Sequence, residues 1–279
     1  MVDNSWKLKM DFPLVGREEK SKERGLTMVL DKGLGYRETK DILELAEEYI
    51  DFWKLSFGTS FLYPRPLLMR KLNLLNSHQI ETYPGGTALE IAVEKDCWEE
   101  YLDTAKELGF TAIEISDGTI DLDPNLRRRL VHRAAKLNFK VLTEVGKKDK
   151  EQGLKVAKIV KQLKKDLEEG ADKVILEARE SGKGISIYDQ EGEVEEGKLK
   201  EVLLKIDNPY DIIWEAPLKK QQVYFIDKFG NNVNLGNIPP REILALESLR
   251  NGLRGDTFRS TLGGKKIKHD KELFVELDV

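Results

Sequence analysis

The sequence predicts an α/β fold in which eight strands alternate with eight helices. Short apolar runs alternate with longer amphipathic segments along the 279 residues. Strands that alternate with helices form parallel βαβ units, and eight units in about 250 residues match the size of a closed barrel. No linker, low-complexity segment or shift of composition marks a second domain. We therefore predict a single (β/α)8 TIM barrel with a short N-terminal arm and a C-terminal tail, and keep a doubly wound open sheet as the alternative.

The strands are expected where the apolar runs are rich in Val, Ile and Phe, which favour strands. These runs cover residues 26–33, 49–58, 79–86, 110–116, 139–146, 172–179, 210–217 and 231–239. Amphipathic periodicity predicts helices over 38–49, 66–75, 87–108, 124–137, 152–169, 198–206, 219–229 and 240–250. Asp123 followed by Pro124 is a typical helix start, and Gly109 and Gly170 stand where helix ends are expected.

The two ends of the chain do not fit this repeat. We predict a polar arm over 1–24, as a loose arm or a short lid, then the barrel over 25–259 and a tail over 260–279. The tail ends in an apolar LFVEL, which could pack on the bottom of the barrel or on another subunit. We expect a homo-oligomer, with this tail as a candidate contact.

Composition excludes several classes of protein. Charged residues make up 34% of the chain, but 46 basic and 50 acidic residues leave a net charge of −4, which argues against nucleic-acid binding. No apolar run approaches the roughly 20 residues that span a bilayer, and the first residues lack the apolar segment of a signal peptide. The single cysteine, Cys97, excludes a disulfide framework. We expect a cytoplasmic protein without a membrane partner.

Charged residues recur at one position near the carboxyl ends of the predicted strands. Because strand side chains alternate between faces, Glu114, Glu144, Glu177 and Glu215 share the parity that points into a barrel, and so does Lys54. Barrel active sites lie at this end. Buried like charges cost several kcal/mol unless they are paired or metal-bound, so the carboxylates predict a hard divalent cation such as Mg²⁺.

The cations of the same strand ends point to anionic ligands. Arg179 shares the inward parity, whereas after the first strand either Asp31 or Lys32 could be the inward residue. Lys54 is interpreted as an anion clamp, although a Schiff base at this lysine stays open. Glycine-rich segments at 83–87, 180–184 and 235–240 follow strands and could present N–H groups to a phosphate, and the last is the strongest candidate.

Nine collinear motifs carry a resemblance to a known family. They run from about residue 26 to residue 258: TMVLDKGL, YIDFWKLSFGTS, YPGGT, IEISDGT, VLTEVGKK, ILEARESGKGI, WEAPLKKQQV, VNLGNIP and LESLRNGLRGDTF. Together they resemble the phosphosulfolactate synthase family. The resemblance implies a (β/α)8 barrel that adds sulfite to phosphoenolpyruvate with Mg²⁺, giving (2R)-O-phospho-3-sulfolactate. Such a step would serve either coenzyme M synthesis or sulfolactate production.

The resemblance also implies roles for individual residues. Lys148, at the end of VLTEVGKK, resembles the family's proposed proton donor, and we expect Lys148 and Lys54 to be the catalytic residues. The expected Mg²⁺ ligands are Glu114, Glu144 and Glu177, with Glu215 as a fourth candidate or a substrate contact. The remaining expected contacts with the two anionic substrates are Lys32, Arg179, Gly236, Asn237 and Arg254.

The chain departs from the family pattern at three places. It has SFGTS where the family has GWGTS. It has GTALE where the family has GTLFE, and this change keeps Glu90. The stretch after Lys148 is also short. Two other functions stay open. One is a Schiff-base aldolase that uses Lys54, and the other is a non-catalytic barrel that has kept the fold but lost the reaction.

Overall fold

The computed structural model describes residues 11–20, 23–146 and 156–262. Eight strands lie within the eight predicted runs: β1 Thr27–Asp31, β2 Phe52–Leu55, β3 Glu81–Pro84, β4 Ala112–Ile115, β5 Lys140–Val145, β6 Lys173–Leu176, β7 Ile212–Glu215 and β8 Leu235–Ile238. The helices are α1 Tyr36–Ala46, α2 Arg65–Ser77, α3 Gly86–Glu94, α4 Trp98–Leu108, α5 Pro124–Lys136, α6 Val156–Glu168, α7 Glu196–Leu203, α8 Lys219–Phe229, α9 Ile243–Arg250 and α10 Gly255–Leu262.

The strands form one parallel sheet that curls into a barrel. Its order is β3-β2-β1-β8-β7-β6-β5-β4, so every strand lies beside its sequence neighbours. The first and last strands of this order also meet, because Thr111 N donates to Thr82 O at 3.0 Å and Thr111 Oγ1 accepts from Thr82 N. The (β/α)8 barrel is confirmed, and the open sheet is wrong.

Two apolar layers confirm the predicted parity of the strand side chains. A small cluster fills the lumen and contains Phe52, Ala112, Leu142, Ile175 and Ile213. Each of these residues stands two positions before one of the inward charged residues. The larger apolar cluster lies between the strands and the helices and holds the alternate strand residues, such as Val141 and Val174. The inward charges therefore sit directly above an apolar floor.

The observed helix bounds mostly differ from the predicted ones by one to three residues, and two differences are larger. The helix expected over 87–108 is broken into α3 and α4, because Asp96 adopts a left-handed φ of 54° that an α-helix does not accommodate. Helix α10 runs to Leu262, across the expected boundary between barrel and tail at 259/260. Within the described residues, no helix has both the length and the apolar content needed to cross a membrane.

The described part of the N-terminal arm packs on the amino end of the barrel. Leu14 is buried and its N–H donates to Asn251 O, while Arg17 forms a largely buried ion pair with Glu247 at 2.9 Å. Residues 11–20 are therefore neither loose nor a lid over the carboxyl end. The apolar LFVEL of the tail lies outside the described residues.

A buried ion pair joins β1 to α2 and resolves the ambiguity of the first strand. Asp31 points away from the lumen and towards α2. Its carboxylate accepts hydrogen bonds from Lys71 Nζ and, at 2.8 Å, from Trp53 Nε1. Asp31 also accepts from the N–H groups of Gly33 and Leu34, at 2.8 and 2.7 Å. Asp31 thereby fixes the backbone of the loop that carries Lys32, which has the inward parity.

Replacing Lys71 with Met should lower the free energy of unfolding by about 3–5 kcal/mol, because it leaves a buried carboxylate without its cation. Both side chains of the pair are fully buried. Urea unfolding followed by circular dichroism measures the loss. Lys40→Met, which removes an exposed lysine beside Glu44, is the matched control and should change stability by less than about 0.5 kcal/mol. Equal effects of the two substitutions would contradict this role of Lys71.

Candidate active site

A cavity of about 470 Å³ opens at the carboxyl ends of the strands. This size suits a small-molecule ligand. Its walls carry most of the predicted strand-end charges together with residues of the loops that follow the strands: Lys54, Ser56, Phe57, Gly86, Glu90, Glu114, Ser116, Glu144, Glu177, Arg179, Glu180, Glu215 and Asn237. The parity of the strands therefore brings these charges together at one place.

Lys54 stands at the centre of the cavity floor. Its ammonium lies 2.8 Å from Glu114 Oε2, 3.5 Å from Glu215 Oε1 and 3.8 Å from Glu144 Oε2. Burial alone would lower the pKa of Lys54, but the carboxylates of Glu114, Glu215 and Glu144 outweigh it and raise that pKa well above its usual value. Lys54 is thus held as a cation. Schiff-base chemistry needs a neutral amine, so this environment disfavours the aldolase hypothesis.

The carboxylates around Lys54 carry more negative charge than one lysine can neutralise. Burial, then repulsion from Glu114, raises the pKa of Glu144 well above its usual value. Burial also raises the pKa of Glu215, and burial together with Glu215 raises the pKa of Glu177 to about 7. An additional cation in the cavity would therefore be stabilised by these carboxylates, because it would reduce the repulsion among them.

Glu114 is held by the first turn of α3. The N–H of Gly86 donates to Glu114 Oε1 at 2.7 Å, while Oε2 faces Lys54. Glycine is needed here because a Cβ on Gly86 would lie 2.3 Å from Ser116 Oγ and 2.7 Å from Glu114 Oε1. The YPGGT segment, which was expected to bind phosphate, therefore has one of its N–H groups directed at a carboxylate.

Gly86→Ala should destabilise the protein by about 1–3 kcal/mol, because its new methyl group must displace Ser116 or Glu114. Thermal unfolding measures this loss. The control is Gly35→Ala: Gly35 has a φ of −68° and no atom within 4 Å of its Cβ position. Alanine should be tolerated at residue 35, and equal destabilisation at both positions would disprove the close fit at Gly86.

Two further predicted cations lie at the mouth of the cavity, Arg179 in its wall and Lys32 beside Glu180 of its wall. Arg179 lines the cavity with a left-handed φ of 57°, and its Nε lies 3.4 Å from Glu177 Oε1. The side chain of Lys32 is half exposed and forms an ion pair with Glu180. Neither cation lies in the cage around Lys54, so each can meet an anion that enters from solvent.

Asn237 also lines the cavity, and it is almost fully buried with a left-handed φ of 56°. Its Nδ2 donates to Arg179 O at 3.4 Å, whereas its buried Oδ1 has no hydrogen-bond partner. A buried unpaired amide oxygen is costly. Asn237 is therefore available for a polar contact with a ligand, and the substrate contact that the family resemblance implies stays a prediction.

Among the described residues, Lys32, Gly236 and Arg254 are predicted site residues that do not line the cavity wall. Gly236 lies lower in β8, where a Cβ would be 2.4 Å from Met28 Cε, so it leaves space in the lumen. Arg254 follows α9, whose last residue, Arg250, donates to Val233 O and Leu26 O just before β8 and β1. Arg254 itself lies between α9 and α10, and its Nε is 3.9 Å from Asp256 Oδ2. Its contact with the substrate stays a prediction. Lys148 lies outside the described residues.

Two residues outside the predicted set support the site. Glu90 of α3 accepts hydrogen bonds from Ser116 Oγ, Gly118 N and Thr119 N, and so ties the loop after β4 to α3. Only the family motif GTALE drew attention to Glu90. Arg127 of α5 donates to the carbonyl of Glu144 at 3.0 Å. One arginine on a helix carries no sequence signal that distinguishes it from a solvated one.

The described residues do not form a preorganised metal site. Over 11–20, 23–146 and 156–262, no group of three His, Cys, Asp or Glu side chains is arranged to hold a metal ion. The assignment of Glu114, Glu144 and Glu177 to Mg²⁺ stays a prediction.

Comparisons with known proteins agree on the family. Residues 15–256 match the model of the (2R)-phospho-3-sulfolactate synthase family. A phosphosulfolactate synthase of Methanothermobacter thermautotrophicus is 46% identical over 250 residues, covering 88% of this chain and 96% of that protein. One of Methanocaldococcus jannaschii is 48% identical over 238 residues, covering 85% and 94%.

Among solved structures, the type I 3-dehydroquinate dehydratase of Clostridium difficile is similar in fold. It superposes with a TM-score of 0.50 at 18% identity, covering 83% of this chain and 94% of that one. At this identity the likeness supports the barrel fold alone. The family match and the two synthases extend over most of the chain and include the strands that build the cavity. The chain therefore belongs to the (2R)-phospho-3-sulfolactate synthase family.

Proposed function

We propose that this protein is a phosphosulfolactate synthase that adds sulfite to phosphoenolpyruvate in a Mg²⁺-dependent reaction. The observation that carries the proposal is the cage of Glu114, Glu144 and Glu215 around the charged Lys54, at the mouth of a barrel of this family. A barrel that had lost its reaction would have no need to keep buried charges that cost stability. The cage therefore favours an active enzyme over a non-catalytic relative.

The proposed reaction is a Michael-type addition. The lone pair of the sulfite sulfur forms a C–S bond with the methylene carbon, and the π electrons of the alkene move towards the substrate carboxylate. A proton then adds to the adjacent carbon from one face, which sets the R configuration. No leaving group departs, so the site must stabilise a transient negative charge and deliver one proton.

Lys54 suits the first of these tasks. Its ammonium is fixed by Glu114 and Glu215, so little reorganisation is needed when negative charge builds on the substrate carboxylate. Arg179 and Lys32 at the rim would attract the two anions. Lys148 would donate the proton, a role that rests on the family resemblance.

Two carboxylates of the cavity would suit a magnesium ion that completes its coordination with substrate oxygens and water. Glu114 is engaged by Gly86 and Lys54, and Glu215 accepts from Ala178 N at 2.8 Å. Glu144 and Glu177 each face one cation, Lys54 at 3.8 Å and Arg179 at 3.4 Å, and the pKa values of both carboxyl groups are raised. They would hold the ion, because Mg²⁺ commonly takes one or two carboxylates plus substrate oxygens. When bound, the ion would neutralise charge on the substrate carboxylate.

The proposal is tested by incubating the purified protein with sulfite, phosphoenolpyruvate and Mg²⁺. Mass spectrometry should detect phosphosulfolactate, and chelation of the metal with EDTA should stop its formation. No sulfonate product with or without Mg²⁺ would overturn the proposal. Borohydride added with a carbonyl substrate tests the aldolase alternative, because only a Schiff base would leave a covalent adduct on Lys54.

The biological setting follows from the same proposal. A reaction of this kind in the cytoplasm could supply either coenzyme M synthesis or sulfolactate production. Product analysis in the source cell, with and without the protein, distinguishes the two routes.

A further inference from the structure

An ion pair crosses the mouth of the cavity. Lys32 follows β1 and Glu180 follows β6, and these strands are separated in the barrel by β8 and β7. The ammonium of Lys32 nevertheless contacts the carboxylate of Glu180, and the two side chains are 52% and 51% exposed. Glu180 also lines the cavity. The pair thus lies above the floor on which Lys54 stands.

The pair changes the charge that an entering anion meets. Lys54 and Arg179 are the cations of the cavity wall in the described residues, against six carboxylates: Glu90, Glu114, Glu144, Glu177, Glu180 and Glu215. Lys54 is already surrounded by three of these carboxylates. Lys32 could add positive charge at the mouth, but Glu180 masks it. An anion that uses Lys32 must displace Glu180.

The backbones on both sides of the pair are held in place. Asp31 accepts from the N–H groups of Gly33 and Leu34 and so fixes the backbone around Lys32. The carbonyl of Arg179, just before Glu180, accepts from Asn237 Nδ2. The contact can therefore open by rotation of two long side chains, without movement of the loops. Exposed ion pairs contribute little free energy, so a bound anion can replace this one.

We propose that Glu180 competes with the anionic substrate for Lys32 at the mouth of the cavity. Glu180 thereby sets the affinity of the enzyme for its substrate, with Lys32 as the group through which it acts. This inference rests on the proposed function for the identity of that anion, which is the phosphate or carboxylate of phosphoenolpyruvate.

A double-mutant cycle tests the inference. Glu180→Gln should lower the KM for phosphoenolpyruvate roughly two- to fivefold, the range expected for loss of one exposed ion pair, with the change in KM rather than kcat. Lys32→Met should raise KM. Adding Glu180→Gln to Lys32→Met should leave KM within error of the single Lys32→Met variant, because the competitor then has nothing to compete for.

The matched control is Glu38→Gln, which removes one negative charge from an exposed ion pair with Arg241 at the same end of the barrel. It should leave KM unchanged. The inference is overturned if Glu180→Gln raises KM or leaves it unchanged. It is also overturned if the same decrease appears in the Lys32→Met background or with Glu38→Gln, since that would be a general effect of charge.

Calorimetric binding of phosphoenolpyruvate separates this inference from the proposed function. Tighter binding by Glu180→Gln than by the unsubstituted protein, with no turnover by either, would overturn the synthase proposal and support the role of Glu180. Normal turnover with unchanged binding in Glu180→Gln would support the synthase and overturn the role of Glu180.

Discussion

Replacing Lys54 with Met should reduce kcat/KM for sulfite addition by about 10²–10³-fold, the usual cost of losing one group that stabilises developing charge. Methionine keeps much of the length of the side chain but removes the cation that Glu114, Glu144 and Glu215 surround. The transition state would then meet only carboxylates on this part of the floor. Steady-state kinetics of product formation at saturating Mg²⁺ measures the loss.

The same substitution also weakens the fold, so its effect needs a control for stability. Lys71→Met removes a buried lysine from another ion pair, outside the cavity, and should destabilise without a comparable loss of kcat in the folded fraction. If Lys54→Met and Lys71→Met lower kcat/KM equally at a temperature where both are folded, the proposed role of Lys54 is wrong.

Replacing Lys148 with Ala should lower kcat by about 10²–10⁴-fold, the contribution typical of a general acid, while the protein stays folded. The reason is chemical: the addition is complete only when a proton reaches the carbon next to the new C–S centre. Rates of product formation together with the far-ultraviolet circular dichroism spectrum measure the two effects.

Lys147, the adjacent residue of the same charge, provides the control for Lys148. Lys147→Ala should keep kcat within about threefold of the unsubstituted enzyme. Near-normal turnover by Lys148→Ala would disprove the assignment, and a large loss in Lys147→Ala alone would transfer the role to that residue.

The barrel and the position of its charges could be predicted from the sequence because both follow from local patterns. The alternation of runs and helices determined the (β/α)8 barrel, and the two-residue period of strands determined that Glu114 and Glu144 face the cavity. The prediction of one helix over 87–108 was wrong because the residue at the break, Asp96, has no strong sequence signal for a left-handed turn. The segment therefore forms α3 and α4 instead of one helix.

Features that depend on contacts between distant elements could not be predicted. The burial of Asp31 against Lys71 depends on how α2 packs against β1, which periodicity does not specify. The ion pair of Lys32 with Glu180 joins residues separated by two strands of the barrel. The prediction for Arg254 rests on the family resemblance, and no local pattern of the sequence specifies where the connection between α9 and α10 places its side chain.

We propose that this cavity adds sulfite to phosphoenolpyruvate and that one carbon of the adduct is then protonated from one face. The most direct measurement is the reaction in D₂O with Mg²⁺, followed by nuclear magnetic resonance and mass spectrometry of the product. We expect phosphosulfolactate with one deuterium, on the carbon that bears the phosphate ester, and with the R configuration alone. Absence of the product, a racemic product or a product without deuterium at that carbon would contradict it.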